Sequence, residues 1–503
     1  MFREYSRARI EKDKNFDGKF YFAVKTTGIV CKPSCPSPVA KEHNVEYYES
    51  LYEAFENGYR PCLRCRPDIE LEYTNGSIQG VSTINAALKK IHDGYLNYHS
   101  LSELADELVI SSRHLRQLFV KNLGASPVKI ARYHKTLFAR KLLLSSDQSI
   151  TDVAFASGFG SVRQFNEVFK EMFHTTPSFM RKNMQPEANK PNRTTLLLNY
   201  KKPFAFLQIL DFLRIRAIKG VEQVTDDSYS RTFRTQNTQG YFTVQDNLKE
   251  SSLELSIVCD DIKCFMEIHN RVRRMFDLDT DFTVINKRFS KDVILSKGME
   301  NRHVPRLPTA FSPYEFVIRA ILGQQITIKA ATTLAARISK AADIHTDATF
   351  PEGLDYFFPI PTELIEMDLN GLGITKTRQQ TIHTTTQAVI DNTINLTMNQ
   401  TFDTFHKEFS ALKGIGNRTV NYVAMRGLGM LDSFPASDLG VIKALMKGDK
   451  KPTLAEIIKQ GEKWRPYRTY ATLCLWNSMK KDDEHAPIYT IHHSTLGNYS
   501  RRK

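Results

Sequence analysis

Apolar and polar positions change period several times along the chain, and each change predicts an element. Phe20 to Cys31 alternates and is rich in aromatics, which predicts a strand or hairpin. Pro33, Pro36 and Pro38 then exclude a helix and predict an irregular loop around Cys35. Leu51, Ala54 and Phe55 stand at helical spacing within a predicted helix from Tyr47 to Asn57, which Gly58 closes. Arg60-Pro-Cys62-Leu-Arg-Cys65-Arg-Pro67 predicts a tight knuckle with Arg60, Arg64 and Arg66 beside two thiols.

A helical period takes over after residue 85. Ser100-Leu-Ser-Glu103 has the form of a capping box, and Leu101, Leu104, Ala105 and Leu108 follow as an apolar stripe. Val109-Ile-Ser-Ser112 turns into a second helix that buries Leu115, Leu118 and Phe119 and exposes Arg113, His114, Arg116 and Gln117. The pattern recurs with Ser149-Ile-Thr-Asp152 as cap, Val153, Ala154 and Phe155 as packing residues and Gly158 at the turn. Ser161 to Lys170 then forms the second exposed helix, carrying Arg163 and Gln164. Two such units joined by a basic helix (Ala131 to Leu144) can set two recognition helices into successive major grooves. Arg and Gln edges match guanine and adenine there, so Arg113, Arg116, Gln117, Arg163 and Gln164 are the candidate base readers.

Arg181 to Thr195 is polar and broken by Pro186 and Pro191, which predicts a domain boundary. Beyond it, Pro203 to Leu213 reads as a helix and Leu253 to Val258 as a strand. Ser312-Pro313 starts a helix with a nearly continuous apolar face that ends at Gly323-Gln-Gln325-Ile326. A helix from Phe402 to Leu412, a turn at Gly414-Ile-Gly416 and a helix from Asn417 to Met425 follow. Helix, glycine hairpin and helix place backbone N–H groups where they can hold a phosphate without reading sequence. Asp438 comes shortly after; on its residues alone it reads first as the N-cap of another helix.

Composition narrows the classes. A chain of 503 residues is too long for one core, and 41% hydrophobic residues with 31 Phe and 20 Tyr suffice for globular packing. The charged start, Met1 to Lys14, excludes a signal peptide, and no apolar run reaches membrane-spanning length. Acidic and basic residues balance over residues 1–80, so the net charge of +14 lies beyond them and points to polyanion partners. Seven cysteines, three of them scattered (Cys259, Cys264, Cys474), argue against a disulfide framework and for a reducing cytoplasm.

Cys31-x-x-x-Cys35 and Cys62-x-x-Cys65 have the count and spacing of a tetrahedral zinc site, which is ordinarily structural. Charge gives such a site a second use near DNA. Zinc with four thiolates carries a formal −2, and alkylation of one sulfur would leave a neutral thioether and a net −1. Repulsion from phosphates would fall without a change of shape.

Thr27-Gly-Ile-Val-Cys31-Lys-Pro-Ser-Cys35 with Gly58-Tyr-Arg-Pro-Cys62-Leu-Arg-Cys65-Arg-Pro67 resembles the N-terminal domain of the Ada adaptive-response family over residues 1–75. The resemblance implies Zn2+ held by Cys31, Cys35, Cys62 and Cys65, with Cys31 also the irreversible acceptor of a methyl group from DNA methylphosphotriesters. The Pro-Ser-Pro after Cys35 departs from more basic relatives. Residues 85–184, notably Ala154-Phe-Ala-Ser-Gly-Phe-Gly-Ser161 and Thr176-Pro177, resemble the AraC-type regulator domain and imply sequence-specific transcriptional control. Residues 196–490 resemble the helix-hairpin-helix glycosylases, in particular the AlkA type, DNA-3-methyladenine glycosylase II. That match includes Phe212-Leu-x-x-Arg-Ala217, Ile321-Leu-Gly-Gln-Gln325, the hairpin, Asp438, Trp464-Arg-Pro-Tyr and Trp476.

This last resemblance implies that Asp438 stabilises an oxocarbenium-like sugar or assists water attack, that Gln325 wedges the duplex, and that Gly414 and Gly416 hold the backbone. Phe212, Tyr422 and Trp476 are the aromatic candidates for the base pocket, each equally a core residue on sequence grounds. Arg418 and Leu439 stand where the family has or can have aromatics. An arginine in place of the lysine of strand-cutting relatives implies a monofunctional glycosylase.

The expected whole is a multidomain α+β protein. It comprises a small zinc-bound α/β domain (1–75), an all-α double helix-turn-helix domain (85–184), a linker (185–195), a mixed α/β lobe (196–300) and an all-α helix-hairpin-helix domain (301–495). The implied partners are operator DNA, alkylated duplex DNA and RNA polymerase, with no membrane, for a monomer in the cytoplasm at the nucleoid. No Pro-Cys-His-Arg motif follows, so a second methyltransferase centre is not expected. The alternative is a DNA-binding regulator with structural zinc and a catalytically inactive glycosylase-like domain.

Overall fold

The computed structural model describes residues 2–68, 82–92, 94–146, 148–183, 194–235, 238–280, 282–396, 400–446, 448 and 450–479. The expected linker lies outside these residues except for its last two, as do the end of the zinc segment past 68 and the end of the last domain past 479. The described chain divides into two compact units. One holds the residues up to Asn199 together with Asp261–Asn270; the other holds Tyr200–Asp260 and the residues from Arg271 onward. The α+β class expected from the sequence is observed in both.

In the first unit a small sheet is built on the predicted hairpin, Tyr21–Val24 with Ile29–Cys31. Gly28 turns it at φ +64°, a conformation that favours glycine. Tyr47 and Tyr48 correct the expected helix: they lie in the strand Val45–Tyr48, paired antiparallel with Tyr21–Val24, and the helix is only Leu51–Glu56. Pairing with an existing strand edge wins over the weak helical spacing of so short a segment. The predicted caps hold: Ser100, Ser111, Ser149 and Ser161 each accept a backbone N–H of the first helical turn. They start the helices Leu101–Glu107, Ser112–Leu123, Ile150–Ala156 and Val162–Phe173. The connecting helix is longer than expected, Pro127–Ser145, because Ser126 caps it and Pro127 fits its first turn.

That helix also ties the cysteine segment to the recognition helices. Arg140, almost fully buried, pairs with buried Asp68 at 2.5 Å, and the Tyr52 hydroxyl lies 2.7 Å from His134 Nε2.

In the second unit the strands Glu222–Val224, Ser228–Arg234, Gln239–Asn247 and Ser252–Cys259 pair antiparallel in chain order. The helical core is packed around Val317, Ile318, Ile321, Phe405, Phe409 and Val420. Buried Arg231 bonds to Glu315 at 2.5 Å, and Glu222 pairs with Arg319 at 3.1 Å. These ion pairs fix the helix Pro313–Leu322 to the sheet and so position the loop that follows it. The helix expected from Pro203 begins at Phe206 (Phe206–Arg214), and that expected to Leu412 ends at Ser410 (Phe402–Ser410). The helix after the hairpin, Asn417–Tyr422, passes into one π-helical turn, Val423–Gly427, a distortion often found beside functional sites.

Candidate metal centre and DNA-base site

Parallel pairing of Ile29–Cys31 with Arg60–Pro61 sets Cys31 beside Cys62 although they are distant in sequence. Two tight turns complete the set: the Cys35 amide donates to Lys32 O and the Arg66 amide to Cys62 O, both at 3.0 Å. Asp17 pins the loop between the first two cysteines, accepting from the Ser34 amide at 3.0 Å and lying 3.5 Å from Lys32 Nζ. All four thiols are buried and their sulfurs lie within 4.8 Å of one another. A tetrahedral zinc with Zn–S of about 2.3 Å needs sulfurs about 3.8 Å apart, so the donor set fits. Hydrogen bonding among the sulfurs splits their acidities. The bond with Cys31 lowers the Cys35 thiol, while Cys31, bonded to Cys35 and Cys62, is pushed up. Four thiolates cannot coexist in so small a volume without a cation, and zinc supplies it.

Of the expected base readers, Arg113, Arg116 and Gln117 lie exposed on Ser112–Leu123, and Arg163 and Gln164 on Val162–Phe173. Leu115, Phe119, Phe165 and Phe169 anchor the opposite faces; Leu118 and Phe155, expected in the core, are only partly buried. Arg163 lies 3.0 Å from Glu167 one turn along, an exposed pair worth little that DNA can displace.

The second unit brings the glycosylase-type residues together around a cavity of about 430 Å³. Gln325, Gly414, Gly416, Tyr422, Asp438 and Trp476 all line it. Gln325 is exposed with φ +58°, a strained backbone for a residue with a side chain, and neighbouring Gln324 bonds to Gly414 O at 3.0 Å. Gly414 has φ +91°, and a Cβ there would lie 2.2 Å from Thr381 Oγ1. The hairpin therefore packs against the helix Lys376–Ile390 at a distance only glycine permits.

Asp438 is buried and does cap a helix, Leu439–Ala444. Its Oδ1 accepts from the Gly440 amide at 2.9 Å, the Val441 amide at 3.3 Å and the Trp476 indole at 2.9 Å. Its Oδ2 faces Arg418 Nη2 at 3.3 Å. Cap and cavity-wall carboxylate are thus one residue, with a separate oxygen for each task. Buried Asn421 fixes the approach to it, because its Oδ1 accepts from the Ser433 hydroxyl and the Phe434 amide, both at 3.0 Å.

One expected pocket residue needs correction. Phe212 is buried away from the cavity wall, with the guanidiniums of Arg216 and Arg426 over its ring at 3.8 and 4.3 Å. Cation–π contacts occupy the ring, leaving Arg216 to line the cavity instead. Burial lowers the Arg216 guanidinium to about 10. Phe316 is the aromatic that sequence reasoning missed; it stands 5.2 Å from Tyr422 at the cavity wall. It sits in an apolar helix and carries no signal distinguishing it from core. Arg216 lay within the quoted Phe212-Leu-x-x-Arg-Ala217 run but had no assigned role.

A chain with paired recognition helices and, separately, a glycine hairpin beside an aspartate-walled cavity belongs to the class of DNA-binding repair proteins. Residues 4–68 match the metal binding domain of Ada, 104–183 a helix-turn-helix domain and 195–312 the AlkA N-terminal domain. The chain is 32% identical over 485 residues to the "Probable bifunctional transcriptional activator/DNA repair enzyme AlkA" of Mycobacterium tuberculosis, covering 95% of this chain and 97% of that one. It is 29% identical to DNA-3-methyladenine glycosylase 2 of Escherichia coli (strain K12), over 56% of this chain and 95% of that one. To the bifunctional transcriptional activator/DNA repair enzyme Ada of the same organism it is 34% identical, over 30% of this chain and 40% of that one. The chain belongs to the family of bifunctional transcriptional activator/DNA repair enzymes that join an Ada-type metal-binding and helix-turn-helix half to an AlkA-type half. The Ada-type metal-binding domain and the cluster of four cysteines within it support Zn2+ as the cofactor. Among the described residues no helix is long and apolar enough to cross a membrane.

Proposed function

We propose that this chain senses methylphosphotriesters through Cys31, regulates transcription through its paired recognition helices, and hydrolyses the N-glycosidic bond of alkylated bases of the 3-methyladenine class with Asp438. The observation that carries the enzymatic half is the Asp438 carboxylate at the cavity wall, one oxygen held by three donors and the other turned to Arg418. An alkylated ring nitrogen makes the base cationic, so it leaves without a general acid. The C1′–N bond breaks with its electron pair passing to the base, and Asp438 stabilises the positive sugar. Water then adds at C1′ and yields its proton to solvent. Tyr422, Trp476 and Phe316 supply π faces for a flipped base, Gln325 the wedge, and Gly414 and Gly416 the backbone contact. With Arg418 rather than lysine beside Asp438, no Schiff-base nucleophile is at hand, and the activity is monofunctional.

In the first unit the Cys31 sulfur attacks the methyl carbon of the triester. The C–O bond breaks with its pair to the phosphate oxygen, leaving a diester anion and a thioether. Zinc, when bound, keeps the sulfurs deprotonated. Cys35, Cys62 and Cys65 hold the site. Transfer is stoichiometric because the thioether has no route back. The domain limits 1–75, 85–184, 196–300 and 301–495, contact with RNA polymerase, a monomeric state and a place at the nucleoid complete the proposal.

The test is release of free base from methylated duplex DNA by the wild type and by Asp438→Asn. Release by wild type, lost in the variant, is expected. No release by wild type, or equal release by both, leaves the regulator with an inactive glycosylase fold. Mass spectrometry after exposure to methylphosphotriester DNA should place one added methyl on the Cys31 peptide; a methyl elsewhere, or none, leaves the zinc structural.

A further inference from the structure

The cavity of the second unit carries an unusual balance of charge for a site that takes cationic bases. Three guanidiniums line it, from Arg216, Arg319 and Arg418, against the single carboxylate of Asp438. Arg319 is committed to Glu222 and Glu315, at 3.1 Å from each. Arg216 bonds to Phe212 O at 2.9 Å and stacks on the Phe212 ring. Arg418 differs from both. Its Nη2 is buried yet finds no hydrogen-bond acceptor among the described residues, and it is held only by charge, 3.3 Å from Asp438 Oδ2. Its side chain is 42% exposed, so it can follow an incoming base.

We infer that Arg418 tunes the lesion-charge selectivity of this cavity, raising excision of neutral bases that carry a carbonyl oxygen relative to the cationic alkylated bases the site also takes. The inference rests on the base-excision reading above and names the substrate class of the same site. A cationic base loses its charge as it leaves, so a guanidinium beside it only repels the bound substrate. A neutral base leaves with the electron pair of the C1′–N bond and becomes an anion, which then takes a proton from solvent. A donor with an open N–H, already anchored next to the attacking centre, stabilises that developing charge and is strengthened by it. The same residue thus hinders binding of one class and assists departure of the other. Arg418 also holds Asp438 Oδ2 until the sugar becomes positive and competes for that oxygen.

The experiment uses the full chain and its Arg418→Gln and Arg418→Lys variants. Single-turnover kcat/KM is measured on duplexes bearing one hypoxanthine, neutral with a carbonyl, or one 7-methylguanine, cationic. Arg418→Gln is expected to lower the neutral-to-cationic ratio about tenfold, the loss of one charge-assisted hydrogen bond. Arg418→Lys keeps the charge and is expected to retain most of the ratio, with any base released through a lysine Schiff base counted apart as borohydride-trapped product. Equal changes on both substrates, no change of ratio in Arg418→Gln, or release of the cationic base alone by wild type would overturn the inference while leaving base excision standing. Release of neither base by wild type defeats the excision reading itself.

Discussion

Replacing Trp476 with Phe removes one hydrogen bond to the carboxylate and keeps an aromatic wall. The indole Nε1 lies 2.9 Å from Asp438 Oδ1, which also accepts from the Gly440 and Val441 amides. A hydrogen bond to a charged group contributes about 1.5–3 kcal/mol. Two backbone donors remain on the same oxygen, so the low end applies, about 1.5 kcal/mol or roughly tenfold in rate. Gly440 provides an independent check. A Cβ there would stand 2.7 Å from Trp476 Cδ1, 3.0 Å from Nε1 and 3.1 Å from Asp438 Oδ1, so Gly440→Ala wedges apart the indole and the carboxylate oxygen it bonds while leaving both side chains chemically intact. Both variants should lose a similar factor in single-turnover base release, and the double variant little more than either, because they break one interaction. Rates within twofold of wild type in folded Trp476→Phe, or fully additive losses in the double variant, would refute this account of how Asp438 is positioned.

Two further outcomes follow from the same packing. Gly414→Ala meets both a φ of +91° and Thr381 Oγ1 at 2.2 Å, and should cost about 1–3 kcal/mol with weakened duplex binding. Gly416→Ala, with φ −94° and open space at its Cβ, should melt as wild type does; equal melting of both variants would contradict the hairpin packing. Asp277 is buried, and burial raises its carboxyl to about 6 although Tyr470 and the Leu307 amide bond to it. The folded chain therefore keeps a proton that the unfolded chain, near 3.9, releases. The stability it contributes is present below pH ~4 and is lost as pH rises through about 6, on the order of 3 kcal/mol in all. Denaturant midpoints at pH 4.5, 5.5 and 7 should show wild type losing ground to Asp277→Asn over that window; parallel curves would exclude it.

The sequence by itself determined the local devices. Ser100, Ser111, Ser149 and Ser161 cap where the pattern places them, since a cap depends on residues three apart. The cysteine spacing announced the metal, because two short loops suffice to aim two thiols each. What depends on distant partners was decided only in the tertiary structure. The strand at Val45–Tyr48 exists because Tyr21–Val24 offers it an edge. Phe212 leaves the cavity because Arg216 and Arg426 cover its ring, and Phe316, unmarked in an apolar helix, takes a place at the wall. Asp438 read first as a cap from the chain alone, and as a catalyst only through the resemblance. Folding let it be both, because Trp476 and two amides gather on one oxygen and leave the other to Arg418. Periodicity records which face of an element is buried; it does not record which side chain from a remote segment will meet it there.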